Sequence, residues 1–425
     1  MRVTTNPGLV FSLSATPVGN DLSELYNLIT LLRPGLLSTE ARFRREYGQA
    51  TSLDDPARRE RLRALLSDVM IRNTRAHIDL KLPRRLAATI RVEPDESERD
   101  VLNAVDEVIR ARYAGAPGTK RLGLMTLQMQ AGSSLAALRR GLAHYEQEGD
   151  PALSGLLDRL DRGSDGRRRA DGSRGEQGAE DSASAPEGRR AQHANGASGA
   201  DGAPGLGDVH GVDGAKVRAL IDLLGRSSEK AIVFSRYLAT IDSIERALAA
   251  AGVRVAVYHG RLTAAEKDAA VADFEHEARV LLATDIGGEG RNLQFRRTII
   301  NFDLPWNPVT IEQRVGRVHR IGQTRDVYVF NLCLAGSVEE RILQVLHDKI
   351  NPFELVAGEM EMILGRLDED QDFAALVMDL WTGGTTPEER ERAFAALGER
   401  LSVAKTDYLK TQSVDRALFG EDYEA

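Results

Sequence analysis

Between Ile311 and Arg320, apolar and polar residues separate at helical spacing. Ile311, Val315 and Val318 recur at i, i+4 and i+7, and Gln313, Arg317 and Arg320 repeat that spacing two residues later. Two residues turn about 200° around an α-helix, so one face is apolar and the opposite face presents an amide and two guanidiniums to a common point. Converging arginines suit a transferring phosphoryl group, whose developing charge they stabilise. A charged helix face is equally an ordinary solvated surface with ion pairs, and this segment alone leaves both readings open. One strand earlier, an apolar stretch runs into Ala283-Thr284-Asp285-Ile286-Gly287-Gly288-Glu289-Gly290-Arg291-Asn292. Gly287, Gly288 and Gly290 let backbone N–H groups approach a phosphate or ribose, and Asp285 can accept from a ribose hydroxyl. Glycines serve tight turns as well, so the pairing of loop and helix carries more weight than either.

The elements that must position these groups read as a βα alternation. Strands are expected at Ala231 to Ser235, Val253 to Tyr258, Arg279 to Ala283, Thr298 to Phe302 and Val327 to Leu332. Helices are expected at Leu238 to Ala251, Thr263 to Phe274, Val309 to Arg320 and Ser337 to Lys349, with Thr263/Glu266 and Ser337/Glu340 spaced as capping boxes. This pitch predicts an α/β fold, a parallel sheet covered on both faces, with ligands at the carboxyl ends of the strands. Ser235, His259-Gly260-Arg261 and the glycine loop all fall there.

The rest of the chain divides by composition. Val10 to Leu13 reads as a short strand entering the loop Ser14-Ala15-Thr16-Pro17-Val18-Gly19-Asn20, and a helix carrying Leu25, Leu28, Ile29 and Leu32 follows, stopped by Arg33-Pro34-Gly35. With so little sheet ahead of it, residues 1–35 look like the tail of a truncated domain whose body is missing. Residues 36–160 read as a helical insertion, with an apolar stripe at Leu62, Leu65, Leu66 and Val69, a short strand from Ala88 to Val92, and helices at Glu98 to Tyr113 and Met125 to Leu142. Residues 161–212 are dominated by Gly, Ser, Ala, Asp, Arg and Glu, a composition expected of a disordered linker. Residues 213–350 hold the βα alternation, and 351–425 read as a helical extension in which Thr386, Pro387 and Glu389 mark a helix start.

Composition excludes several classes. The 425 residues carry a formal net charge of −8, against a coat of positive charge but not against a local basic groove. One cysteine, Cys333, excludes a disulfide framework and fits a reducing cytoplasm. No apolar run is long enough to span a membrane.

The ordered motifs carry a resemblance. Asp285 to Leu293, then Phe302-Asp303-Leu304-Pro305-Trp306-Asn307-Pro308, then Gln313 to Gln323, resemble motifs V and VI of Swi/Snf-type ATPases in helicase superfamily two, nearest the bacterial RapA/HepA-like branch. Lys230-Ala231-Ile232-Val233-Phe234-Ser235 resembles motif IV, Tyr258-His259-Gly260-Arg261 the next, and Leu13 to Asn20 motif III. The resemblance implies a RecA-like helicase C-terminal lobe at 213–350, preceded by a remnant of a first lobe. It implies Arg317 and Arg320 as arginine fingers, with Gln313, Asp285, Gly288 and Gly290 on the nucleotide side. It further implies Ser235, Arg261, Thr284 and Asn292 toward a nucleic-acid backbone, and Ser14 and Thr16 coupling hydrolysis to lobe movement. The implied ligands are ATP with Mg²⁺ and double-stranded DNA bound without sequence preference.

One departure limits this. The sequence contains no Gly-x-x-x-x-Gly-Lys-Ser/Thr; Gly115 to Lys120 lacks the spacing, and the acidic run at Asp368-Glu369-Asp370-Gln371 falls on the wrong side of motif VI. The lysine that holds phosphates and the acids that hold Mg²⁺ are therefore expected from elsewhere, such as a separate chain carrying the first lobe. The rival expectation is a nucleic-acid-binding or regulatory module without its own ATPase activity.

Overall fold

The computed structural model describes residues 2–6, 9–13, 22–47, 55–70, 83–147, 152–158, 160, 214–285, 293, 295–319, 322–351, 359–367, 372–384 and 386–419. Ser14, Thr16, Gly288, Gly290, Asn292 and Arg320 lie outside the described residues, as do the expected linker at 161–212 and the acidic run at 368–371.

Five strands form where the apolar runs place them: β4 (Ala231–Phe234), β5 (Val255–Tyr258), β6 (Val280–Ala283), β7 (Thr298–Asn301) and β8 (Val327–Leu334). A sixth, β3 (Arg85–Val92), pairs parallel with β8 in register Arg85 opposite Val327, giving the order β3-β8-β7-β4-β6-β5. Every pairing in this sheet is parallel. β4 and β6 are buried along their whole length because both faces are covered. Successive residues point to opposite faces. Val233, Leu282, Ile300 and Leu332 pack under α7 (Ala215–Gly225) and α8 (Leu238–Ala250), joined by Leu220 and Ile244. Ile232, Leu281, Ile299 and Val329 pack on the other side with Phe274 of α9 (Ala264–His276) and Val315 of α10 (Pro308–Val315). The doubly covered parallel sheet is the fold class the alternation predicts.

Caps form where the residue types require them. The Thr263 side chain accepts from Glu266 N while Glu266 accepts in return from Thr263 N at 2.8 Å. Ser337 caps α11 (Val338–Lys349), but Glu340 turns instead to the N–H of Gly336, at 2.7 Å. Thr386 and Glu389 form the reciprocal pair that opens the long helix at Pro387–Phe419.

Two sequence expectations change. The strand near 88–92 does not sit within a separate helical insertion; it is the edge strand of the main sheet. The helix expected over Met125 to Leu142 is two, α5 (Gly118–Ser133) and α6 (Leu135–Gln147). Ser134 breaks them, adopting extended backbone and accepting from Ala137 N with its side chain, because a serine hydroxyl competes for backbone donors and favours a helix start. At the other end of the described chain, the strand expected at Val10 to Leu13 forms as β2 (Leu9–Leu13), paired antiparallel with β1 (Arg2–Asn6). Leu62 and Leu66 of the expected stripe are fully buried with Ile29 and Phe43 in a small cluster of α1 (Leu22–Leu32), α2 (Glu40–Tyr47) and α3 (Pro56–Ser67).

The helices between β3 and β4 share one core with those after β8. Val105 and Ile109 of α4 (Glu96–Tyr113), Leu127 of α5 and Leu138 of α6 join Ile342 of α11, Val377 and Trp381 of α13 (Phe373–Gly383) and Leu401 of the long final helix, α14. The intervening short helix at Glu359–Leu364 is α12. Trp306 and Cys333 sit in the same cluster, and burial pushes the Cys333 thiol up to about 12. Among the described residues no helix is long and apolar enough to cross a membrane.

A buried ion pair pins this layer to the sheet. Lys216 Nζ lies 3.3 Å from Glu339 Oε2 and donates to Gly132 O at 2.8 Å, while Leu304 N donates to Glu339 Oε1 at 3.3 Å. Burial pushes the Glu339 carboxyl up to about 7 against the opposing pull of Lys216. A carboxyl raised in this way binds its proton more tightly folded than unfolded. Its contribution is full below the ordinary value of 4.5 and is lost as pH rises through about 7. Glu339→Gln holds the neutral shape at every pH. Denaturant titrations should show the unsubstituted protein losing up to about 3 kcal/mol relative to that variant across this window. Parallel pH profiles would mean that the carboxyl keeps its ordinary value in the folded protein.

Candidate functional site

A cleft of about 820 Å³ opens at the carboxyl ends of the parallel strands. Arg236 after β4, His259, Gly260 and Arg261 after β5, Thr284 and Asp285 after β6, Trp306 after β7 and Gln313 on α10 all line it, facing Met125 and Met129 of α5. The fold thus gathers four of the residues singled out in the sequence, Arg261, Thr284, Asp285 and Gln313. Arg261 and Gln313 are exposed, whereas Thr284 is buried and its N–H donates to Tyr258 O at 3.1 Å. The loop after β5 is held by the Arg261 N–H, which donates to His259 Nδ1 at 3.3 Å. Arg317 is half-buried, and Ile311, Val315 and Val318 are buried on the expected face of α10 and its following turn. That helix is shorter than Val309 to Arg320: it ends at Val315, Gly316 caps it, and single turns continue to His319.

Ser235, expected to face a nucleic-acid backbone, is fully buried, and its hydroxyl donates to Asp303 Oδ2 at 2.6 Å. Its oxygen is spent inside the protein, on Asp303. Asp303, immediately beyond β7, is the centre of a buried polar network. Ser133 Oγ donates to it at 2.8 Å and Arg236 N at 3.0 Å, and Arg314 Nη2 lies 3.5 Å from Oδ1. Arg314 is 2 % exposed and joins the ends of two strands, β6 and β7. Its Nε donates to Asp285 Oδ1 at 2.6 Å, and its Nη1 to Asn301 Oδ1 at 3.0 Å and Asp303 O at 2.9 Å. Asn301 in turn donates to Asn331 Oδ1 at 2.7 Å. Asp285, expected to accept from a ribose hydroxyl, thus has one carboxylate oxygen engaged by Arg314.

Arg314 and Asp303 are functional residues that the spacing argument passes over. The available signal was a charge between Ile311 and Val315, on the apolar face of an amphipathic helix, which requires a buried partner. His319 is a second case. Its Nδ1 accepts from Arg85 Nε at 3.1 Å and its Nε2 lies 2.7 Å from Pro83 O, so the carbonyl fixes the Nε2–H tautomer. The histidine ties the turn after α10 to the start of edge strand β3, rather than packing between two arginines. Gln323 closes the same turn, donating to Arg296 O at 3.1 Å and accepting from Thr324 N and Arg325 N, beside Gly322, whose φ of +103° favours glycine. Among the described residues no three His, Cys, Asp or Glu side chains converge as a metal site.

The sheet from β4 to β7, with its strand-end loops and α10, falls within a helicase conserved C-terminal domain, and an SNF2-related domain precedes it. The former matches residues 215–322 and the latter residues 10–140. Over 401 residues the chain is 30 % identical to YqhH of Bacillus subtilis (strain 168), described as an uncharacterized ATP-dependent helicase, covering 92 % of this chain and 62 % of that protein. Over 144 residues it is 42 % identical to the RNA polymerase-associated protein RapA of Actinobacillus succinogenes, covering 33 % of this chain and 15 % of that one. The chain therefore spans less than two thirds of the length of either relative. The Sulfolobus solfataricus SWI2/SNF2 ATPase core domain superposes with a TM-score of 0.39 at 22 % identity, over 81 % of this chain and 60 % of that one. The C-terminal part of the Fun30 ATPase domain gives 0.41 at 15 % identity, over 71 % and 99 %. These superpositions are loose, and the fold class rests on the strand order and pairing.

The network predicts a large stability effect. Arg314→Ala leaves Asp303 and Asp285 without their shared cation and should cost about 3–5 kcal/mol in urea unfolding. A loss under about 1 kcal/mol would show that the network does not hold the strand ends together.

Proposed function

We propose that this chain provides the C-terminal-lobe half of an ATP-dependent DNA translocase. What supports the reading is the cleft in which Arg261, Thr284, Asp285 and Gln313, separate in sequence, meet at the carboxyl ends of parallel strands. Arg317, with Arg320, would supply the arginine fingers that stabilise charge on a transferring phosphoryl group. Gln313 would line the nucleotide side, with Asp285 positioned by Arg314 and the glycines Gly288 and Gly290 offering backbone N–H groups. Arg261, Thr284 and Asn292 would contact the backbone of double-stranded DNA, which gives affinity without sequence preference. Ser235 would set that surface through Asp303, and Ser14 and Thr16 would couple turnover to lobe movement. ATP would bring the phosphoryl group and its Mg²⁺, and because the sequence contains no Gly-x-x-x-x-Gly-Lys-Ser/Thr, the phosphate cradle and the Mg²⁺ ligands would come from a first lobe, on a separate chain or segment. A cytoplasmic setting accords with the one buried free thiol.

The missing Gly-x-x-x-x-Gly-Lys-Ser/Thr supports a second reading, a nucleic-acid-binding or regulatory module without ATPase activity of its own. Hydrolysis measured with and without a supplied first lobe separates the two. With it, Arg317→Ala should cut DNA-stimulated turnover by about 10³-fold while leaving affinity for double-stranded DNA nearly intact. Arg261→Ala should lower the salt slope of DNA binding by about 1. Equal loss of DNA binding in Arg317→Ala would refute the finger assignment, and no turnover under any supply would leave the module.

A further inference from the structure

Both ring nitrogens of His319 are engaged by one short stretch of chain more than two hundred residues earlier. Nε2–H donates to Pro83 O at 2.7 Å and Nδ1 accepts from Arg85 Nε at 3.1 Å, where the chain enters edge strand β3. A neutral imidazole offers one donor and one acceptor at separate corners of a rigid ring, and both are matched here. Hydrogen bonds are directional, so a shift of Pro83 or Arg85 must turn the ring or break a bond. The entry is pinned a second time. Arg84 donates through its N–H to Asp326 Oδ1 at 3.0 Å and through Nη2 to Oδ2 at 2.9 Å. This guanidinium holds the Asp326 carboxyl below its usual range.

The turn that carries His319 depends on such anchors. α10 ends at Val315 and single turns follow, with Arg317 N donating to Arg314 O at 3.1 Å and His319 N to Val315 O at 2.9 Å. Without a continuing helix, the direction of these residues is set by Val318 in the core, by His319 on Pro83 and Arg85, and by Gln323 on Arg296 O. Arg317 immediately precedes the first two of these. Pro83 and Arg85 fall within the SNF2-related match at 10–140, whereas His319 falls within the helicase C-terminal match at 215–322. The imidazole therefore bonds across the two matched stretches.

We propose that His319 is a positioning residue that couples the chain entering β3 to the turn bearing Arg317. While Pro83 and Arg85 are seated, the imidazole holds the turn and the direction of Arg317 is fixed; displacement of the entry frees both. The consequence for phosphoryl transfer rests on the finger role proposed above for Arg317, and the coupling itself does not.

Amide hydrogen exchange, followed by mass spectrometry on the full chain, tests the coupling without nucleotide. His319→Phe keeps a ring and loses both bonds, and Arg85→Met removes the Nε donor. Each should speed exchange about tenfold both at 84–88 and at 315–319, the scale of losing a bond to a charged donor. Once residue 319 is substituted by Phe, Arg85→Met should add nothing at 315–319, because the two act through one contact. His319→Gln, which retains a donor and an acceptor, should recover part of the protection, and Arg261→Ala should leave both segments unchanged. Circular dichroism establishes that each variant folds. Faster exchange confined to the substituted end in each case would overturn the coupling. With a first lobe supplied, His319→Phe should lower kcat for DNA-stimulated hydrolysis about tenfold at unchanged KM for ATP, and should add nothing to Arg317→Ala. Full turnover in His319→Phe beside its loss in Arg317→Ala would overturn the positioning role. Full turnover in Arg317→Ala would instead count against the finger reading, and the exchange result would still decide the coupling.

Discussion

The guanidinium of Arg314, closed off from solvent beneath the strand ends, is the constraint on which the site depends. A buried cation is tolerated only if its charge is met, and here Asp285, Asn301 and the Asp303 carbonyl accept from its Nε and Nη1 while the Asp303 carboxylate lies 3.5 Å from Nη2. Those three partners follow different strands or lie at their ends. Satisfying one side chain therefore sets the relative positions of the β6 and β7 termini and of α10. Asp303 extends the same constraint to β4 through Ser235 and the Arg236 N–H, and to α5 through Ser133. Weak groups are thus located by a strong one: the exposed Arg261 and Gln313 sit on a frame whose interior cannot shift without stranding a charge.

That frame ties in segments that look separate along the chain. The break at Ser134 gives α5 an end at which Ser133 reaches Asp303 and Ser134 meets Thr240. Lys216 and Glu339 anchor the same end of α5 through the Gly132 carbonyl. His319 joins the turn after α10 to Pro83 and Arg85 at the edge of the sheet. Each is a polar contact between distant parts of the chain laid over an apolar core. The core supplies the favourable burial, and the polar contacts select one arrangement of it.

Much of this was legible because local rules agreed. Continuous apolar runs such as Ala231–Phe234 belong to strands buried on both faces, and the Thr263 and Thr386 caps follow from hydroxyl and acid spacing. The buried face of Ile311, Val315 and Val318 followed from period alone. Strand 85–92 was placed in a helical region because its partner, β8, lies more than two hundred residues later, and no local pattern records a parallel pairing at that distance. Ser235 was read by its place at a strand end, and its hydroxyl turned inward because Asp303 needed donors.

The sequence by itself determined the fold class, the five strands from 231 onward and which loops meet at their carboxyl ends, since hydrophobic period and the handedness of βαβ crossovers leave few alternatives. It also determined which phosphate-holding motif is missing. Only the tertiary structure decided which charged residues face the cleft and which are spent inside. Arg314 and Gln313 are neighbours in sequence, yet one is buried and the other exposed. The reason is geometric: adjacent helical residues point about 100° apart, and what each meets depends on chain folded against it from elsewhere.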